Sequence, residues 1–372
     1  MNDWGDLILA RILYVLLVIL LFGVLIAIHE FGHFFTAKLL GVKVNEFAIG
    51  MGPAIWQSRK GKGEPWEDEK TLYSLRLFPI GGYCAMEGED VDTGDPRAFS
   101  RQAGWKKVII LCAGSFMNFV LGLVITVVLF LGITQARAPV ITQFAGGFQH
   151  EGPGGLMAGD RIVSVDGHRI WLYADVQTYL SRNDGNGVDL VVERDGERVR
   201  LDDFPMGRYE YEYEGGKNYG FGLIFGQVDD LSVPERIGQG CAQTFDFVRM
   251  VWISLGDLLT GRAAVSELSG VIGVVDVVSE MGAASESVAV GIQNVFYFMA
   301  LIAVNLAVMN MLPIPALDGG RVFFVLLNGL IYLVARRRIP EKYEGYVHAG
   351  AFMLLLALMA VVALHDMWNI FV

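Results

Sequence analysis

The sequence predicts a polytopic α-helical membrane protein with four transmembrane helices, interrupted by a β segment and a small α+β domain. Of its 372 residues 53% are hydrophobic, and the mean hydropathy of +0.44 is too apolar for an ordinary soluble protein. The apolar residues are also clustered. Uncharged runs lie at 12–28, 108–133, 291–312 and 349–364. With its flanks, each run can cross a hydrocarbon core, which takes roughly 20 helical residues. The expected segments are a first span within 1–40, a second at 107–134, a third, broken one at 289–335 and a fourth at 346–370.

The first run does not read as a cleaved leader, because Asp3 and Asp6 precede it and a charged motif follows it. Basic residues set the expected orientation. Lys38 and Lys43 follow the first span, Lys106 and Lys107 precede the second, and Arg336, Arg337, Arg338 and Lys342 separate the last two. The positive-inside rule then puts 40–106 and 336–345 in the cytoplasm, with both termini and 135–285 outside. Cys84, Cys112 and Cys241 are scattered, offering neither a disulfide framework nor a thiolate metal site. The net charge is −11, and no basic patch suggests nucleic acid.

Residues 41–106 are too polar for a span. Val44–Met51 and Thr71–Leu77 read as strands around a charged connection at 59–70, with glycines at Gly50, Gly52, Gly81 and Gly82. Residues 135–228 have the pattern of a small soluble domain. Arg161–Gly167 alternates and ends in a turn, Tyr173–Arg182 has helical spacing, and Val188–Arg194 and Glu197–Leu201 flank the hairpin signal Asp195-Gly196. Within 229–288, residues 244–259 are amphipathic and suit a membrane face or a packing role.

The chemistry is concentrated in His29-Glu30-Phe31-Gly32-His33. On a helix, residues four apart share a face, so both imidazoles can reach one metal ion while the Glu takes a proton from water. A zinc-bound water has a pKa near ~7, which supplies hydroxide at neutral pH. A third protein ligand is needed. The soluble metzincin pattern would place Gly and His where the chain has Thr36 and Leu39, and Glu46 lies in the β region. The better candidate is Asp318, in Asn310-Met-Leu-Pro-Ile-Pro-Ala-Leu-Asp-Gly-Gly, which interrupts the third apolar segment. A buried carboxylate there must be paired or bind metal. The alternative is an Asp capping the helix that follows.

These motifs resemble the site-2 intramembrane metalloproteases, specifically the bacterial regulator-of-sigma-E protease type. Glu46–Pro53 resembles the family's G-x-G edge strand, and Pro79–Tyr83 with Met86–Asp90 the end of its membrane-reentrant β loop. Ala113-Gly114 with Asn118 matches its second span, and Gly159–Gly167 resembles the core of a bacterial PDZ domain. Residues 41–106 are thus expected to form a cytoplasmic-side reentrant β loop, and 135–228 one extracytoplasmic PDZ-like domain.

The resemblance implies His29, His33 and Asp318 as Zn2+ ligands and Glu30 as the catalytic acid/base. It implies Gly50, Gly52, Asn305 and Asn310 in substrate binding. It also implies single-span membrane substrates such as anti-sigma factors or remnant signal peptides, an upstream site-1 protease acting first, and residence in a bacterial inner membrane. One departure is Val271, where relatives carry Pro; another is the single PDZ-like unit. Two other function classes remain open, an ion or proton transporter and an inactive PDZ scaffold. His150, His168, His348 and His365 have no partner spacing and read as surface or interfacial residues. Gly154-Gly155-Leu156 is a weak candidate for a carboxylate-binding nest.

Overall fold

The computed structural model describes residues 3–59, 70–89, 93–183, 187–213, 216–262, 270–337 and 341–371. The charged connection at 60–69, Asp90 and Ser269 therefore lie outside the described residues. Two compact units are present, one formed by 1–126 with 244–372 and the other by 127–243.

The larger unit contains α1 (Asp3–Leu39), β1 (Val44–Arg59), β2 (Leu72–Met86) and most of α2 (Gly104–Leu131). It continues with much of α4 (Val233–Thr260), then α5 (Val271–Ala283), α6 (Val288–Asn310), α7 (Asp318–Ala335) and α8 (Glu341–Phe371). Among the described residues five helices are long and apolar enough to cross a membrane: α1, α2, α6, α7 and α8. The sequence reading gives four because it treats 289–335 as one broken span. In the structure that stretch is two separate helices joined by a turn at 311–317. Pro313 and Pro315 fall in the turn, where neither can continue a helix by donating a backbone hydrogen bond.

Packing in this unit is built on small residues. Gly32 of α1 faces α2 so closely that a Cβ there would lie 2.7 Å from the Ala113 carbonyl carbon and 2.9 Å from Gly114 N. Backbone-to-backbone approach of this kind is the usual means of helix association where no water drives burial. Tyr14, Val18 and Leu25 of α1 pack with Val278 of α5 and Val295, Met299 and Ala303 of α6. A second cluster joins Ala37 of α1, Val44 and Phe47 of β1, Cys84 and Met86 of β2, Ile110 and Leu111 of α2, and Val322 of α7. It brings five elements to one place. The amphipathic stretch lies in α4, where Phe247 is buried against Ala300 and Val304 of α6. Val271 is the first residue of α5. Pro is favoured at a first helical position because its φ is preset, and Val271 occupies that position here.

β1 and β2 run further than their sequence patterns because each bends and pairs twice. Residues 46–49 pair with 72–75 on one side and 82–85 on the other, and 54–59 pair with 72–76. The result is a four-segment sheet in which 46–49 runs parallel to 72–75 and antiparallel to 82–85, with 54–59 and 82–86 on its two edges.

In the smaller unit, β3 (Ala136–Phe144), β4 (Arg161–Val165), β6 (Val188–Arg194), β7 (Glu197–Phe204) and β10 (Leu223–Val228) form a sheet in the order β10-β3-β4-β6-β7. The short β5 (His168–Arg169) pairs with β4, α3 spans Tyr173–Arg182, and β8 (Tyr209–Tyr213) and β9 (Gly216–Gly220) make a separate hairpin. Both expected Asp-Gly turns are present, with positive φ at Asp166, Gly167, Asp195 and Gly196, as a two-residue hairpin requires. Ile141, Leu156, Ile162, Val165, Val176, Leu190 and Val192 form its buried core.

Candidate metal centre

His29, Glu30 and His33 lie on α1, where helical spacing stacks the two imidazoles on one face. The turn at 311–317 delivers Asp318 to them. Leu317 is the N-cap of α7 and Asp318 its first residue, and Asp318 Oδ2 accepts no hydrogen bond among the described residues. That oxygen faces the two imidazoles and is not spent on the free N–H groups of α7, as a capping oxygen would be.

Three atoms converge. His29 Nε2 and His33 Nε2 are 3.2 Å apart, and Asp318 Oδ2 lies 3.1 Å from the first and 3.3 Å from the second. His33 Nδ1 is 2.8 Å from the Ile110 carbonyl of α2, so this nitrogen donates and Nε2 presents its lone pair to the centre. Each of the three atoms can serve as a metal ligand, and together they can surround one cation. Zinc–nitrogen and zinc–oxygen bonds of about 2.0–2.1 Å in a tetrahedron separate the ligand atoms by about 3.3–3.4 Å. The residues fit the ion. Among the described residues this is the one cluster of three or more His, Cys, Asp or Glu groups able to hold a metal.

Glu30 does not join the ligand cluster. Its Cγ is 3.6 Å from the Cβ position of Gly82. The 82–86 edge of the sheet thus borders Glu30.

Gly114 was legible in the sequence only as a match to the second span. In the structure it forms a wall of the centre. A Cβ at this position would lie 2.7 Å from His29 Cε1 and 2.8 Å from His33 Cε1, with His33 Nε2 closer still. Glycine is required for space, not for its φ.

The expected substrate residues are placed differently from the ligands. Gly50 and Gly52 do not lie on an open edge. The segment leading to them is paired on both sides, and both adopt positive φ (85° and 84°) at the bend, facing Phe78. The bend itself accounts for glycine there. Asn305 is exposed on α6, Asn310 is the last residue of α6, and no hydrogen bond links either to the three ligands among the described residues.

In the smaller unit, Gly155 N–H donates to the Gly152 carbonyl and Leu156 N–H to that of His150. These amides are committed within the loop, so the carboxylate nest is not formed. Arg194 holds the loop by donating to the Pro153 and Gly155 carbonyls while pairing through two 2.7 Å bonds with buried Asp160. His150 packs against Phe148 and Phe204, and His168 stacks on Tyr179. His348 is not a surface residue, since its Nδ1 accepts a hydrogen bond from Ala316 N–H.

A His-Glu-x-x-His helix completed by a distant Asp, in a chain rich in membrane-length helices, defines a membrane metallopeptidase. Residues 17–358 match peptidase family M50, and the chain belongs to that family. It is a zinc metalloprotease. It is 34% identical over 353 residues to a protein named a zinc metalloprotease from Clostridium acetobutylicum, covering 95% of this chain and 96% of that one. The corresponding protein of Clostridium perfringens is 33% identical over 354 residues, covering 95% and 98%. The regulator of sigma-W protease RasP of Bacillus subtilis is 26% identical over 438 aligned positions, covering 95% and 98%.

Proposed function

We propose that the chain cleaves single-span membrane proteins within or near the bilayer, with His29, His33 and Asp318 holding zinc and Glu30 carrying the proton. The observation that supports this reading is the convergence of three lone-pair atoms at 3.1–3.3 Å with Glu30 alongside. When bound, zinc activates water and polarises the scissile carbonyl as a Lewis acid. Glu30 accepts a proton from the attacking water and donates it to the leaving amine. The Ile110 carbonyl holds the His33 ring in the tautomer that leaves Nε2 available.

A helix must be unwound before its peptide bonds can be reached, and the amides released cost several kcal/mol each if left unpaired in lipid. The 82–86 edge beside Glu30 is the proposed partner for that segment by strand addition. Asn305 and Asn310 are proposed to hydrogen-bond the unwound backbone. Exposed Ile49, Met51, Ile55, Trp56, Leu75, Leu77 and Phe78 suit a sheet that dips into the cytoplasmic side of an apolar phase.

Residues 135–228 read as one extracytoplasmic PDZ-like domain. The committed amides of its 150–156 loop favour a size filter over capture of a substrate terminus. Anti-sigma factors and remnant signal peptides, first trimmed by another protease, are the proposed substrates in a bacterial inner membrane. The positive-inside orientation treats α6 and α7 as one interrupted crossing. The test is purified full-length protein reconstituted with a single-span substrate. Cleavage inside the apolar segment with one zinc per chain is expected. Ion flux without proteolysis would favour the transporter reading instead.

A further inference from the structure

We infer that His348 of α8 is a positioning residue for the metal centre, acting through the turn that carries Asp318; the inference rests on Asp318 being a zinc ligand. The amide accounting of that turn leads to it. Pro313 and Pro315 have no N–H. Ile314 N–H donates to the Leu312 carbonyl, Leu317 N–H to that of Ile314, and Gly320 N–H to that of Leu317. Ala316 N–H has no such local acceptor. It donates to His348 Nδ1 at 2.9 Å, from a helix 32 residues away in sequence. That part-buried amide would lose its partner without the imidazole.

Ala316 also needs an external restraint. Its φ is 80°, a conformation that a residue with a Cβ rarely adopts and that persists only where its surroundings hold it. It stands two residues before Asp318. The chain direction entering α7, and with it the reach of the Asp318 carboxylate to the two imidazoles, follows from that backbone setting. Close contacts complete the wedge. A Cβ on Gly320 would lie 2.7 Å from the Ile314 carbonyl carbon and 2.9 Å from Pro315 Cα, so the turn folds directly onto the first turn of α7.

His348 is suited to the task. Its neighbours Val347, Ala349 and Gly350 are exposed, whereas its own side chain is only 17% exposed and its ring centroid lies 5.3 Å from that of Phe324 in α7. Accepting at Nδ1 requires the neutral ring with its proton on Nε2. The imidazole is thus a fixed acceptor turned inward from an otherwise outward-facing stretch of α8.

The test is zinc retention by the full-length protein in detergent, measured by competition with a chromophoric chelator, for His348→Asn, His348→Gln, His348→Leu and Asp318→Ala. Asn places its Oδ1 where Nδ1 stands, whereas Gln carries its acceptor one atom further out and Leu has none. Asn should hold zinc within about threefold of wild type, and Gln and Leu should weaken it by about tenfold or more, the usual effect of removing an outer partner of a metal site. Equal losses in Asn and Gln would overturn the inference, because they would show that the ring only fills space. Wild-type affinity in Gln and Leu, with zinc lost from Asp318→Ala, would overturn it while leaving the ligand assignment intact. Full zinc retention by Asp318→Ala would remove the ligand assignment and this inference with it.

Discussion

Adding one methyl group at Gly114 should dismantle the metal centre. The Cβ of an Ala at this position would stand 2.7 Å from His29 Cε1 and 2.8 Å from His33 Cε1. An ordinary carbon contact needs about 3.5 Å or more, so each ring must retreat by about 0.7 Å or α2 must back away from α1. Neither is easy. The His33 ring is tethered to the Ile110 carbonyl of α2 itself, and Gly32 already brings the two backbones into contact. Metal sites tolerate about 0.2 Å in ligand distance. A shift several times larger should cost zinc affinity by about 100-fold or more, beyond the 10–100-fold typical of outer-partner changes. The assay is zinc per chain after dialysis against a weak chelator, with cleavage of a reconstituted single-span substrate alongside. Gly329→Ala in α7 is the matched control, because nothing lies within 4 Å of its Cβ position and zinc should be unaffected. Stoichiometric zinc and normal cleavage in Gly114→Ala would refute the steric argument.

Three other outcomes are expected. Asp318→Ala should lose zinc and cleavage together, as removal of an anionic ligand from a buried site requires, and inductively coupled plasma analysis of the purified protein checks it. Chelation should abolish cleavage and added Zn2+ restore it, without loss of helical circular dichroism, since the packing of α1, α5 and α6 does not depend on the ion. Replacing residues 140–225 by a short flexible linker should permit cleavage of full-length substrates that the intact protein cuts only after trimming; no gain on full-length substrates would refute the filter reading.

The sequence carries the metal motif openly because the two proposed His ligands and the proposed proton carrier share about one helix turn, a spacing that needs no tertiary knowledge. Asp318 is legible more indirectly, through the cost of a carboxylate amid prolines at membrane depth. Gly114, the Ile110 carbonyl and His348 are not legible as parts of a centre. Each matters only for what stands opposite it, and a glycine that clears space for an imidazole looks like any other small residue in a span. The two Asp-Gly turns and Tyr173–Arg182 were readable from local signals. The sheet near the centre was readable in Val44–Met51 and Thr71–Leu77 but not in its continuation beyond Gly52, where Ile55 and Trp56 are exposed and the alternation that marks a strand is lost. The same limit applies to 289–335, where hydropathy joins what the proline-bearing turn separates into α6 and α7.

The central claim is that Glu30 moves the proton while His29, His33 and Asp318 hold the ion. Its most direct test is Glu30→Gln in the full-length protein, read for zinc content and for cleavage of a single-span substrate in the same preparation. Gln preserves shape but cannot accept the proton at neutral pH. The account requires about one zinc per chain with cleavage reduced to background. Loss of zinc from this variant, or cleavage at the wild-type rate, would contradict it.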